Sequence, residues 1–149
     1  MCQLTDKNKF KVEILEKPMT VYKLAEYSRR IWSRSKLRAY YQQTSIELGK
    51  TMTKFCAEDF AQKVAKADPQ FDGSYIRLDE QGIHACPNKR DVEVTKSTTF
   101  PRIDPAWTMV VLECVIPKGS AIVRGVWSDW KDVRTIVTNR IKYVRILKD

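Results

Sequence analysis

The apolar run over residues 107–116 constrains the fold of this chain more than any other segment. It contains Met109, Val110, Val111, Leu112 and Val115. Near-continuous apolar runs are typical of strands buried on both faces, so we predict a central strand here. A Pro-Lys-Gly turn follows at 117–119, and further strands are predicted over residues 121–127, 133–138 and 141–147. The last of these alternates apolar and polar residues, which favours an edge or near-edge position.

The rest of the chain adds shorter strands and one clear helix. Strands are predicted over residues 10–15, 20–24, 74–78 and 82–86. Apolar residues at helical spacing, with Glu58 and Asp59 early in the segment, predict the main helix over about residues 54–66. Pro87 predicts the first position of a short helical turn near residues 87–93. We therefore expect an α+β fold, with a strand-rich, mostly antiparallel twisted sheet in one domain over residues 1–149 and a flexible N-terminal segment at 1–9.

Length and composition narrow the class of protein. A chain of 149 residues with 43% hydrophobic residues fits one globular domain. It has no apolar run near the roughly 20 residues that span a bilayer, and residues 1–11 lack the apolar core of a signal peptide. We expect no membrane partner and a cytoplasmic location. The cysteines are then expected to be free thiols; they are Cys2, Cys56, Cys86 and Cys114.

The basic charge is the strongest indication of a partner. A net charge of +9 and a pI near 9.5 favour nucleic acid or an acidic protein or nucleoprotein surface. Basic residues cluster over residues 23–38 with aromatic residues among them, and again near the C-terminus. Arginine pairs with phosphate, and aromatic rings stack on bases. The alternative is that the aromatic residues are core anchors and the arginines are solvated. The candidate binding residues are Lys23, Arg29, Arg30, Trp32, Arg34, Lys36, Arg38, Arg140, Lys142 and Arg145.

The sequence Gly-Ile-His-Ala-Cys-Pro over residues 82–87 holds the only histidine and is the candidate site for chemistry. On a strand, His84 and Cys86 share a face and could both reach one metal ion. A tetrahedral zinc site needs two more ligands, and the chain has no Cys-x-x-Cys pair, so we predict no metal site. Cys86 could instead be a nucleophile if an imidazole lowered its pKa. A buried, inert thiol is favoured, because free cysteine is among the most buried residue types.

Four segments occur in an order that resembles a family of short phage and prophage proteins. They are Glu-Leu-Gly-Lys-Thr at 47–51, Gly-Ile-His-Ala-Cys-Pro-Asn at 82–88, the strand at 110–115 and Ile-Val-Thr-Asn-Arg-Ile-Lys at 136–142. That family carries a hydrophobic-Gly-Lys-Thr segment, a Gly-Phe-His-(Ala/Phe)-Cys motif, a Glu-Val strand and a late segment ending in a basic residue and isoleucine. The resemblance implies a mobile-element origin and a compact strand-rich domain without an established activity. The chain departs from the family pattern at 54–78 and in its basic N-terminal third.

A looser similarity connects the chain with ADP-ribosyltransferase-like folds, in which a strand carrying a basic residue precedes the later strands. Here residues 21–23, ending in Lys23, would be that strand. The similarity implies NAD as cofactor and a cleft near His84, with Glu113 as the carboxylate. The arginine, Ser-Thr-Ser and glutamate set of those enzymes is not cleanly present.

The leading hypothesis is a small, basic, non-enzymatic accessory protein of phage or mobile-element type. It would bind nucleic acid or a nucleoprotein complex in the host cytoplasm without a cofactor or metal, and inhibition of a host defence system would be a typical use. One alternative is an NAD-using, ADP-ribosyltransferase-like enzyme in which His84, Cys86 and Glu113 are the catalytic candidates. Another is a minor virion or structural protein.

Overall fold

The computed structural model describes residues 3–6, 11–28, 37–40, 44–67, 69–70, 73, 75–78, 81–98, 106–127 and 130–147. Within these ranges the strands are β1 (Gln3–Asp6), β2 (Glu13–Ile14), β3 (Met19–Ser28), β4 (Leu37–Ala39), β5 (Thr51–Thr53), β6 (Pro69–Gln70), β7 (Tyr75–Leu78), β8 (Ile83–Ala85), β9 (Trp107–Ile116), β10 (Ala121–Trp127), β11 (Trp130–Thr138) and β12 (Arg140–Leu147). The helices are α1 (Ala57–Ala65) and α2 (Lys89–Thr98). The predicted strand-rich α+β class is confirmed.

The strands form two antiparallel sheets. Sheet A has the order β6, β7, β1, β10, β11, β8, and β2 also pairs with β10. Sheet B has the order β4, β3, β9, β12, β5. The apolar strand β9 lies at the centre of sheet B, and β12 is one position from its edge, as predicted. A tight turn connects β9 to β10 of sheet A, and Gly119 in this turn adopts a φ of 84°, which favours glycine.

Three groups of buried side chains stabilise this arrangement. The inner core joins the two sheets and includes Val21 and Leu112 of sheet B with Ile122 and Ile136 of sheet A. The α1 core packs that helix on sheet A and contains Phe60, Val64, Ile76, Leu78, Ala121, Val123 and Val137. The α2 core packs the second helix on sheet B and contains Leu24, Cys86, Val92 and Val111. Each sheet therefore packs against the other on one face and against a helix on the opposite face.

Both helices differ in extent from their predictions. Helix α1 begins at Ala57, because Cys56 caps it by accepting a hydrogen bond from the Asp59 amide (3.4 Å). Helix α2 begins at Lys89 and runs to Thr98, beyond the predicted turn near 87–93. Val92 and Thr95 are buried three residues apart, so packing on the sheets extends the helix. Neither described helix is long and apolar enough to cross a membrane.

The N-terminus differs from the predicted flexible segment at 1–9, since Gln3–Asp6 form β1 between β7 and β10. The Gln3 side chain is fully buried, donates to the Val123 carbonyl (3.1 Å) and accepts from the Thr135 hydroxyl (2.8 Å). These bonds compensate for the burial of a polar group. Residues 1–2 and 7–10 lie outside the described ranges.

Candidate nucleic-acid interface

The histidine-containing segment 82–86 connects the sheets. The Cys86 amide donates to the Tyr22 carbonyl (2.7 Å), and the Tyr22 amide donates to the Cys86 carbonyl (2.8 Å). Ile83 and Ala85 enter the inner core. A Cβ atom on Gly82 would lie 2.6 Å from the Thr138 carbonyl oxygen, so only glycine fits there without displacement. The motif therefore has a structural explanation.

The three catalytic candidates occupy different environments. Burial raises the pKa of the Cys86 thiol to about 12, which keeps it protonated near neutral pH, as expected for the inert alternative. His84 is buried within β8, where its main chain pairs with Val137. Both carboxylate oxygens of Glu113 accept from the Arg145 guanidinium, at 2.9 and 3.3 Å. Tyr22 separates Glu113 from Cys86, so these two residues lie two strand spacings apart, about 10 Å.

The cysteines do not assemble a metal centre in the described ranges, where no group of three potential metal-binding side chains occurs. Cys86 and Cys114 are buried and Cys56 is exposed, and all three are free thiols, as predicted. Cys2 lies outside the described residues.

Lys23, a predicted surface contact, points into the fold. It has the same strand parity as Val21 and Ala25, which belong to the inner core. Its ammonium donates to the His84 carbonyl at 2.6 Å. Burial disfavours the charged form and lowers the pKa of Lys23 to about 8. This residue stabilises the connection between the sheets.

Arg38 is also engaged inside the fold. Its guanidinium lies 3.6 Å from the centroid of the Trp107 ring. One nitrogen lies 3.5 Å from a carboxylate oxygen of Glu26, whose side chain is fully buried. Stacking and ion pairing together hold the guanidinium at sheet B, so Arg38 has a structural role.

Arg140 holds the turn between β9 and β10. Its Nε donates to the Ser120 hydroxyl (2.8 Å) and its Nη2 to the Lys118 carbonyl (2.5 Å). The remaining described candidates, Lys142 and Arg145, are exposed on β12. The other five fall outside the described residues; they are Arg29, Arg30, Trp32, Arg34 and Lys36.

The structure brings together three exposed arginines that the sequence analysis did not select. Arg77, Arg124 and Arg134 lie on β7, β10 and β11. Ile76, Leu78, Val123 and Val137 lie one or three residues from these arginines on the same strands and face α1, so strand alternation places the arginines on the opposite face of sheet A. Their exposure shows that sheet B does not cover this part of the face. We call this surface the arginine face.

Strand register fixes the geometry of the arginine face. Arg77 pairs with Leu4, Leu4 with Val126, and Val126 with Arg134. One row therefore crosses four neighbouring strands and has an arginine at each end. Three strand spacings separate the end residues, which is about 14 Å between their Cα atoms.

Three further side chains lie on this face: Tyr75, the residue Asp6 that pairs with it on β1, and Arg124. Tyr75 lies two residues before Arg77 on the same side of β7 and is half-buried. Arg124 lies two residues before Val126, and its Nε is 3.4 Å from a carboxylate oxygen of Glu13. The sequence signal for this surface is an arginine between two buried residues, at 76–78 and again at 133–135.

Comparison with known proteins adds no relative: no protein-family model, curated protein or solved structure matches this chain.

Proposed function

We propose that this chain is a small basic accessory protein of phage or mobile-element type that binds nucleic acid through the arginine face. The observation that carries the proposal is the alignment of Arg77 and Arg134, both exposed, at the two ends of one row across sheet A. The mobile-element origin rests on the family resemblance of the ordered motifs. The proposed place of action is the host cytoplasm, where such a protein would occupy nucleic acid or a nucleoprotein complex.

Charge and exposure support this surface. The chain carries +9, so its long-range field attracts polyanions and accelerates their encounter. Arg77, Arg124 and Arg134 are exposed, and arginine forms paired hydrogen bonds with phosphate. The strands that carry these arginines, β7, β10 and β11, pack against the α1 core on their other face, which fixes the positions of the arginine main chains.

The NAD-dependent alternative lacks comparable support. Glu113 accepts two hydrogen bonds from Arg145, and Tyr22 occupies the position paired with Glu113 on the neighbouring strand β3. Cys86 has a raised pKa and lies in the α2 core. None of these groups is poised to activate a nucleophile.

The test measures binding of a fluorescent 30-nucleotide strand and of the corresponding duplex by anisotropy at 50–300 mM salt. We expect affinity to fall steeply with salt. The double variant Arg77→Gln/Arg134→Gln should bind at least about tenfold more weakly and lower the salt slope by roughly 1.5 to 2, because two phosphate contacts are lost.

The matched control is Lys63→Gln/Lys66→Gln, which removes the same charge from exposed positions at the end of α1 on the other side of sheet A. It should change affinity only slightly. Absence of binding to either nucleic acid at 50 mM salt would contradict the proposal. Equal losses in the two double variants would show that net charge, and not the arginine face, determines binding. Binding to an acidic protein alone would assign the surface to a different partner.

A further inference from the structure

We propose that the arginine face binds single-stranded nucleic acid in preference to a duplex, with the phosphate backbone contacting Arg77 and Arg134 and a base stacked on Tyr75. This inference rests on the proposed function and specifies its ligand. It follows from the width of the surface, the side chains in and beside the row, and the arrangement of the charges.

The surface is too broad to enter a groove of double-stranded DNA. The row from Arg77 to Arg134 crosses four strands and spans about 14 Å before the side chains are added. The major groove is about 12 Å wide and accepts one helix or a two-stranded ribbon, and the minor groove is about 6 Å wide. A duplex could therefore touch this surface only along its outer backbone.

The side chains in and beside the row suit exposed bases. Val126 lies within the row, and Tyr75 lies two residues before Arg77 and pairs with Asp6; both are half-buried on the same face as the arginines. In a duplex the flat faces of the bases are stacked on each other, whereas in a single strand they can stack on an aromatic ring. Open sheet faces that carry aromatic residues are used in this way for single-stranded RNA.

The charges also favour a single backbone. Arg77 and Arg134 form one line across the strands, whereas Arg124 is displaced from the line by two residues and lies against Glu13. A second phosphate backbone beside this line would approach the carboxylates of Asp6 and Glu13 and be repelled. One backbone that follows the line meets arginine at both ends of its path.

The experiment compares a 30-nucleotide single strand with the duplex of the same sequence, by direct titration and by competition at 100 mM salt. We expect the single strand to bind at least tenfold more tightly. Tyr75→Ala should weaken single-strand binding by about fivefold or more, whereas Tyr75→Phe should retain the affinity because the ring remains. Duplex binding should respond little to either change.

The outcomes separate this inference from the function on which it rests. Duplex binding equal to or tighter than single-strand binding, lost on Arg77→Gln/Arg134→Gln, would overturn the single-strand preference and leave nucleic-acid binding intact. Absence of binding to both forms would overturn both proposals. The comparison on the unaltered protein decides between the two ligands even if Tyr75→Ala does not fold, which thermal unfolding would reveal.

Discussion

Cys86 and Tyr22 exchange two main-chain hydrogen bonds of 2.7 and 2.8 Å, and this bridge connects the edge of sheet A to β3 of sheet B. Residues 82–86, which end at this bridge, contact all three buried cores. Gly82 contacts Phe60 and Val137 of the α1 core, Ile83 belongs to the inner core, and Cys86 belongs to the α2 core. A substitution in this segment should therefore disturb the packing of both sheets and both helices.

The substitution Gly82→Ala should destabilise the protein by about 1–3 kcal/mol, because overpacking forces neighbouring atoms apart. The added Cβ would lie 2.6 Å from the Thr138 carbonyl oxygen, 2.7 Å from Val137 Cγ1 and 2.8 Å from Phe60 Cε2. The carbonyl belongs to the main chain of a buried strand, so it cannot move aside cheaply. Urea unfolding followed by tryptophan fluorescence would measure the loss.

The control for this variant is Gly49→Asn. Gly49 has a φ of 84°, and no atom lies within 4 Å of the position that a Cβ would take there. Asparagine tolerates this backbone conformation better than most residues. The unfolding midpoint of the control should stay near that of the parent protein. A Gly82→Ala midpoint equal to that of Gly49→Asn would show that the segment accommodates the added Cβ atom without loss of stability.

Arg38→Ala should cost about 3 kcal/mol of unfolding free energy, because it removes the cation beside a fully buried carboxylate. The Glu26 side chain is 0% exposed and lies 3.5 Å from the guanidinium, which also stacks on Trp107. Arg145→Ala removes an ion pair at a side chain that is 65% exposed and should leave the urea midpoint almost unchanged. Similar midpoints for the two variants would contradict a structural role for Arg38.

Much of the fold could be predicted from local pattern. β9 and β10 have the predicted bounds because their apolar residues indicate a buried strand without reference to distant partners. β1 could not be predicted, since its buried positions are polar. Gln3 and Thr5 become acceptable inside the protein only through bonds to the carbonyls of Val123 and Arg124, which are more than a hundred residues away.

The site was harder to predict for the same physical reason. Arg38 and Arg140 resemble surface cations in the sequence, but distant residues such as Glu26 and Ser120 engage them. Conversely, Arg77 and Arg134 are far apart along the chain. Only the register of four strands places them at the two ends of one row. Strand register depends on tertiary packing, which no short segment specifies.

Asn139→Ala should destabilise the protein by about 2–4 kcal/mol, since it leaves two main-chain groups without their partner. Asn139 lies between β11 and β12, where its Oδ1 accepts from the Ala121 amide (2.9 Å) and its Nδ2 donates to the Phe55 carbonyl (3.1 Å). The comparison variant Gln62→Ala changes an exposed position of α1 and should stay within about 0.5 kcal/mol of the parent. A loss at Asn139 no larger than that at Gln62 would show that water replaces both bonds.

Lys23 should make stability depend on pH in a direction that is unusual for a lysine forming a hydrogen bond. The pKa of its ammonium is lowered to about 8 in the folded protein, from 10.5 for an ordinary lysine. Between these two values the unfolded chain holds a proton that the folded chain has released. The unfolding free energy contributed by Lys23 therefore rises with pH through this window. The rise amounts to about 1 kcal/mol between pH 7 and pH 9.

Two buried thiols oppose this rise at the upper end of the window. Burial raises the pKa of Cys86 and of Cys114 to about 12 from 9.0, so the unfolded chain loses protons first and stability falls above pH 9. The thiols are common to the parent and to Lys23→Met, so the difference between these two proteins isolates the lysine. Urea titrations at pH 7, 8 and 9 should show the parent gaining about 1 kcal/mol relative to Lys23→Met. The exposed-site variant Lys142→Met should follow the parent, and parallel pH profiles for the parent and Lys23→Met would show that the Lys23 ammonium is solvated in the folded state.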